Sequence, residues 1–189
     1  MKTTLLFFLA FTFFCSKNSQ AQTEVKFNMV SGLIGVPNLG IETRISRKSS
    51  IQLDVLGSFW NSFLERPLHI VQIFPEYRYY PQGKFEKFYL GSHIGFGMFT
   101  LTKYGKSNDS YQSGRNTYYG ITVGYKKKIN SNFKLDFFIG GGSSQATYRG
   151  YSKVTRSRTD IKDSENRNFN GSGEWLPYRG GVMLVYSLN

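Results

Sequence analysis

The chain has two histidines, His69 and His93, and His93 follows Ser92. A serine and a histidine beside carboxylates such as Glu76 or Asp54 are the parts of a hydrolase or acyltransferase, provided they meet in hydrogen-bond geometry. On a lipid-modifying enzyme the nucleophile would also have to face the lipid or the rim. His93 instead shares the polar parity of its segment, so a structural, hydrogen-bonded imidazole is expected, and the protein is expected not to be an enzyme. Two histidines with no accompanying cysteine rarely hold a metal, so neither a metal nor a cofactor is expected. A different chemistry is carried by charges placed two apart, as in Glu76 and Arg78. With Lys26, Glu42, Arg44, Asp54, Lys134, Asp136 and Arg179, they fall on the polar parity of alternating segments. Enclosed together, such charges must pair, because an isolated charge away from water is costly.

The 189 residues include 24 Lys+Arg against 12 Asp+Glu, a formal charge of +12. That excess points first to an anionic partner, nucleic acid or a membrane surface. The length fits one domain, and 17% aromatic residues are too many for a disordered chain. Lys2, the apolar run Leu5–Cys15 and the exit Ser19–Ala21 form the three regions of a secretory signal peptide, residues 1–21. Cleavage after Ala21 leaves a mature domain, 22–189, without cysteine; the rival reading lipidates Cys15, although Phe14 is bulky for that signal.

The mature chain lacks helical periodicity. Segments near 24–36, 38–47, 50–60, 68–80, 86–101, 115–129, 132–144 and 175–188 alternate with period two, which predicts eight strands. Connections at 48–49, 81–85 and 130–131 are tight, whereas those at 61–67, 102–114 and 145–174 lengthen along the chain. Only the first, at Pro37, breaks this asymmetry. Short turns at one end and long loops at the other are the pattern of an eight-stranded antiparallel up-and-down transmembrane β-barrel, with 145–174 as a long extracellular loop.

Alternation does not say which face is inside. Gly91, Gly95, Gly97, Gly120, Gly124, Gly140, Gly142 and Gly181 share parity with His93, Thr122, Asp136 and Arg179. Glycine weakens a water-facing strand for no gain but makes room for long side chains inside a narrow barrel. On the apolar parity, Tyr77, Tyr79, Phe88, Tyr125, Phe133 and Tyr186 lie beside the short turns, and Phe59, Phe96, Tyr119 and Tyr178 lie toward the long loops. Two aromatic rows are the girdles of a membrane barrel. The polar face is therefore expected to line a closed lumen and the apolar face to meet lipid.

Several segments resemble a family. Val25-Lys26-Phe27-Asn28 with Pro37-Asn38-Leu39-Gly40-Ile41-Glu42 is similar to its first hairpin. Phe74-Pro75-Glu76-Tyr77-Arg78-Tyr79-Tyr80 resembles its Pro-Glu-x-Arg-Tyr-Tyr strand, and Tyr89-Leu90-Gly91-Ser92-His93-Ile94-Gly95 its hydrophobic-Gly-x-His strand. Gly120–Tyr125 followed by Asn132–Asp136 resembles its closing hairpin. The family comprises small Bacteroidetes-type outer-membrane β-barrels known as a domain of unknown function. The resemblance implies fold and location over most of 25–188 and supplies no catalytic residues; the 145–174 segment departs from it.

The expected role is thus that of an integral outer-membrane barrel with a non-enzymatic structural, adhesive or accessory function. The alternatives are a soluble periplasmic barrel holding an apolar ligand, or a lipid-modifying hydrolase or acyltransferase. Arg47, Lys48, Lys84, Lys87, Lys126, Lys127, Lys128 and Lys134 cluster near the short turns against Glu86 alone. They are read as a basic periplasmic rim meeting anionic head groups rather than nucleic acid. Expected partners are outer-membrane lipids and lipopolysaccharide, with a surface polysaccharide or a protein at 145–174.

Overall fold

A strand with one polar and one apolar face leaves its edges unpaired unless the sheet closes on itself. In the structure, a computed structural model describing residues 22–63, 66–102, 109–159 and 173–188, the sheet does close. The elements are β1 (Thr23–Asn28), α1 (Met29–Leu33), β2 (Asn38–Arg44), β3 (Ser49–Phe63), β4 (Arg66–Tyr79), β5 (Lys87–Leu101), β6 (Ser110–Lys128), β7 (Phe133–Ser152), β8 (Arg158–Thr159) and β9 (Glu174–Ser187). Each strand from β1 to β7 pairs antiparallel with the next, β7 pairs with β9, and β9 returns to β1. The result is an eight-strand up-and-down barrel, with the two-residue β8 paired to the top of β7.

The expected signal peptide, 1–21, lies outside the described residues, as do 160–172 of the expected loop. Three boundaries differ from the sequence reading. The expected strand 24–36 ends at Asn28, whose side chain accepts from the backbone N–H groups of Val30 and Ser31 and so caps α1. The connection at Pro37 is therefore a helical turn, and it lies at the same end as the other long connections. The expected loop 61–67 shrinks to the link between Phe63 and Arg66. Finally, the β6–β7 ladder runs on to Ser110 opposite Ser152, so residues 110–114 and 145–152 are strand. Tyr111 and Tyr151 sit directly opposite there and stack at 5.3 Å. Such cross-strand aromatic pairs outweigh the polar composition that suggested a loop.

At the other end the links are short. Asn130 accepts from the N–H groups of Asn132 and Phe133, closing the β6–β7 turn. Gly83, at φ +64°, supplies the left-handed position in the β4–β5 turn.

The inner face is polar and the outer face apolar. Lys26, Glu42, Asp54, Glu76, Arg78 and Asp136 are buried, whereas Val25, Ile41, Leu53, Ile73, Tyr77 and Phe137 are exposed. Lumen glycines receive bulky neighbours from the adjacent strand: Gly40 faces Asp54, Gly91 faces Glu76, and Gly95 faces Phe74. At Gly124 a Cβ would overlap the ring and hydroxyl of Tyr89. Tyr89 cannot swing away freely, since its hydroxyl donates to Asp136 at 2.8 Å. Gly124→Ala is expected to destabilise the fold by about 1–3 kcal/mol through overpacking. A urea unfolding midpoint matching the parent would refute this.

Candidate functional site

The lumen is the only place where this fold gathers chemistry from all eight barrel strands, among the described residues. Its contents form layers from the short-turn end upward.

The lowest layer is aromatic. The β4–β5 turn folds Phe85 into the barrel mouth, against Tyr80 at 5.3 Å, and Tyr80 meets Tyr89 at 5.4 Å. Lys126 Nζ lies 3.9 Å from the centre of the Phe85 ring, and Lys134 Nζ lies 5.3 Å from it. Cation–π attraction suits ammonium groups held away from water.

Above it is a continuous ion-pair network. Lys126 reaches Glu24 at 2.7 Å and Glu42 at 3.1 Å, and Lys134 pairs with the other oxygen of Glu24. Lys26 pairs with Glu42 and, at 2.8 Å, with Asp136, and donates to Gln52 at 2.6 Å. Arg78 is the hub: Nε meets Glu76 at 2.6 Å, while Nη1 meets Asp136 at 2.7 Å and Glu42 at 3.1 Å. Arg179 pairs with Asp54 and Glu76. Gln52 donates to Asp54, and Ser50 and Tyr80 donate to Glu42. Five cations (Lys26, Arg78, Lys126, Lys134, Arg179) thus face five carboxylates (Glu24, Glu42, Asp54, Glu76, Asp136). Among the described residues this network is formally neutral, the condition under which burying so many charges is tolerable.

The third layer holds His93. Thr122 gives its one hydroxyl proton to Glu76 at 3.1 Å, so Thr122 accepts from His93 Nδ1–H at 3.0 Å. In the neutral ring Nε2 then accepts from the Tyr178 hydroxyl at 2.7 Å. Phe74, Tyr118 and Tyr178 roof this layer, with Tyr118 and Tyr178 at 4.8 Å and Phe74 and Tyr178 at 6.1 Å. Above the roof the lumen widens into a cavity of about 350 Å³ open toward the long-connection end.

The structure brings Glu42, Asp54, Glu76, Arg78, Asp136 and Arg179 together as the sequence placed them. Four residues are corrected. Arg44 does not join the network: at the end of β2 it leans outward and donates to the carbonyls of Ser46, Arg47 and Gly83, bracing the turns. Lys126 is not a rim residue, and Lys134, placed by its parity in the lumen and by its neighbours in the rim, lies in the lumen. Both are buried, because Lys126 and Asp136 are register partners and Lys134 shares the inward parity of Asp136. Tyr178, expected in the outer girdle, points inward. Gly140 pairs with Arg179 and Gly141 with Pro177, so Tyr178 is the extra residue of a bulge, and its parity flips. The other basic residues, Arg47, Lys48, Lys84, Lys87, Lys127 and Lys128, are exposed at the short-turn end.

Glu24 belongs to the network, although the sequence reading passed over it; its spacing of two from Lys26 was the available signal. Ser92 is exposed on the outer face while His93 is buried, so these neighbours do not form a nucleophile and base. His69 donates from Nε2–H to Asn61 Oδ1 at 2.9 Å, at the upper end of the barrel.

Compared with known proteins, the chain matches the family described as "Protein of unknown function (DUF3575)" over residues 4–188. No curated protein and no solved structure matches it.

Proposed function

We propose, from the premise that this chain belongs to the DUF3575 family of proteins of unknown function, that it is an integral outer-membrane β-barrel. Its role in this reading is non-enzymatic: structural, adhesive or accessory. The observation that carries the reading is the inverted distribution of polarity, with a charged interior and an apolar belt around the outside. The belt includes Leu39, Ile51, Val55, Leu90, Ile121, Val123 and Ile139, all exposed. From Phe88 to Met98 on β5 the outward residues stay apolar except Ser92. The ten steps from Phe88 to Met98 advance roughly 33 Å along the strand, or about 25 Å along the axis at a ~40° tilt. That is the height of a lipid-facing band.

Tyr77, Tyr79, Phe88, Tyr125, Phe133 and Tyr186 border the belt at the short-turn end, and Phe59, Phe96 and Tyr119 lie toward the other. In water such a belt would be a far larger apolar patch than soluble monomers expose. Among alternatives, a soluble carrier of apolar ligands is disfavoured by a lumen filled with ion pairs. A hydrolase is disfavoured by the opposed directions of Ser92 and His93. In this orientation the long connections face outward, and the exposed Arg47, Lys48, Lys84, Lys87, Lys127 and Lys128 meet anionic head groups on the periplasmic side.

Cell fractionation tests the location. The full chain is expected in the outer-membrane fraction, released by detergent but not by salt or alkali. Its unheated form should migrate differently from the boiled form on a denaturing gel. Recovery in the soluble periplasm would overturn the proposal.

A further inference from the structure

The outer wall changes character above the apolar belt. On β6 the outward residues run Tyr125, Val123, Ile121 and Tyr119, then Thr117, Arg115 and Ser113. On β7 they run Phe137, Ile139 and Gly141, then Ser143, Gln145, Thr147 and Arg149. The ladder aligns the two series, with Arg115 opposite Thr147 and Ser113 opposite Arg149. Arg115 and Arg149 are therefore diagonal neighbours, roughly 7–8 Å apart at the base of their side chains. Both are exposed. The exposed cations of the other end sit in turns or at strand ends, whereas these two face outward from within one long ladder.

Arg115 and Arg149 border an open hollow of about 620 Å³ with Met98, Thr100, Ser113 and Thr147. Among the described residues no carboxylate lines it, and neither arginine has an ion-pair partner. The hydroxyls of Thr100 and Ser113 bond each other at 2.9 Å, which uses one of their two protons and leaves the other to donate. On the next strand Arg115 lies opposite Met98, the last residue of the apolar run on β5. The arginines thus begin where the belt ends. A guanidinium facing lipid is costly unless it reaches a partner at the membrane surface.

We propose that Arg115 and Arg149 bind the phosphomonoester of a lipid headgroup in the outward-facing leaflet, its acyl chains descending over Met98 and Phe96. Guanidinium forks take phosphate oxygens two at a time. A phosphomonoester, at about −1.5 to −2 near neutral pH, balances two arginines, whereas a singly charged phosphodiester balances one. Met98 and Phe96, 67% and 48% exposed, supply the apolar contact that favours a lipid over a free phosphate ion. The proposal deepens the outer-membrane reading and rests on it, because only a bilayer holds a headgroup at this level.

Native mass spectrometry of the full chain, refolded in maltoside micelles, tests it with phosphatidic acid, a phosphomonoester, and phosphatidylglycerol, a phosphodiester, of identical acyl chains. The parent should bind phosphatidic acid the more tightly, and excess inorganic phosphate should not displace it. Arg115→Gln and Arg149→Gln should each weaken that binding about fivefold, the scale of one cation at an anionic membrane surface. The pair Lys127→Gln and Lys128→Gln removes the same charge at the opposite end and should leave the preference intact. Heat-modifiable gel mobility reports whether each variant is folded, and the parent's own preference tests the site where one is not. Equal binding of the two lipids, displacement by inorganic phosphate, or a preference unchanged in both arginine variants would overturn the proposal. Micelles hold the barrel wherever it resides in the cell, so this failure is distinct from failure of the fractionation test.

Discussion

Arg78→Met is expected to cost about 3–5 kcal/mol of stability, the scale for breaking a buried ion pair by removing one partner. The guanidinium is fully buried and touches Glu42, Glu76 and Asp136, three carboxylates from three strands. It also lies 4.2 Å from the Tyr89 ring centre. Methionine fills much of the volume but leaves the lumen with one uncompensated negative charge. Lys26 and Lys126 are close by, yet both are already engaged with Glu42. Adding Glu76→Gln restores formal neutrality, so the double variant should recover part of the loss. The measurement is urea unfolding in lipid vesicles, followed by heat-modifiable mobility. Equal midpoints for Arg78→Met and the parent would show that the network contributes nothing to the fold. A double variant worse than the sum of the single ones would show that charge balance is not the reason.

The second large effect is on the opposite face. Ile121 is 58% exposed on β6, with Val123 beside it and Tyr119 and Tyr125 above and below on the same face. Ile121→Arg places a cation in the middle of the proposed lipid belt. Near the bilayer midplane that costs roughly 2–4 kcal/mol. The expected result is a sharp fall in insertion into vesicles, measured as the fraction with shifted mobility. Lys127→Arg, at the exposed short-turn end, should insert as the parent does. The two faces separate the readings cleanly. A soluble barrel would accept Arg at an exposed position within about 0.5 kcal/mol. Unimpaired folding of Ile121→Arg without lipid would therefore refute the membrane assignment.

Much of this architecture was readable residue by residue. Val71, Ile73, Tyr77 and Tyr79 alternate against Gln72, Glu76 and Arg78, and β4 obeys that pattern from Val71 to Tyr79. Glycines in phase with charges marked the lumen side, and the structure shows why: Gly91 leaves room for Glu76. Local composition is a poorer guide than register. The polar character of 145–152 hid a strand that pairs along β6 and sets Tyr151 opposite Tyr111. The three-lysine run Lys126–Lys128 looked like one feature, yet alternation divides it: Lys126 turns inward and Lys127 outward.

The sequence by itself determined the strand count, the alternation and the identity of the inward face. Strand count and alternation are properties of single strands, set by a two-residue period that each strand carries alone, and the inward face was marked by the glycines in phase with its charges. Tertiary structure alone decided the partnerships. Lys126 meets Glu24, and Arg179 meets Glu76, each pair separated by more than 100 residues. Those meetings depend on register around a closed circuit, to which every strand contributes. The bulge at Gly140 and Gly141 made the last decision, turning Tyr178 onto His93 and forming the floor of the cavity. Its cause is an unequal residue count between paired strands, which no single strand records.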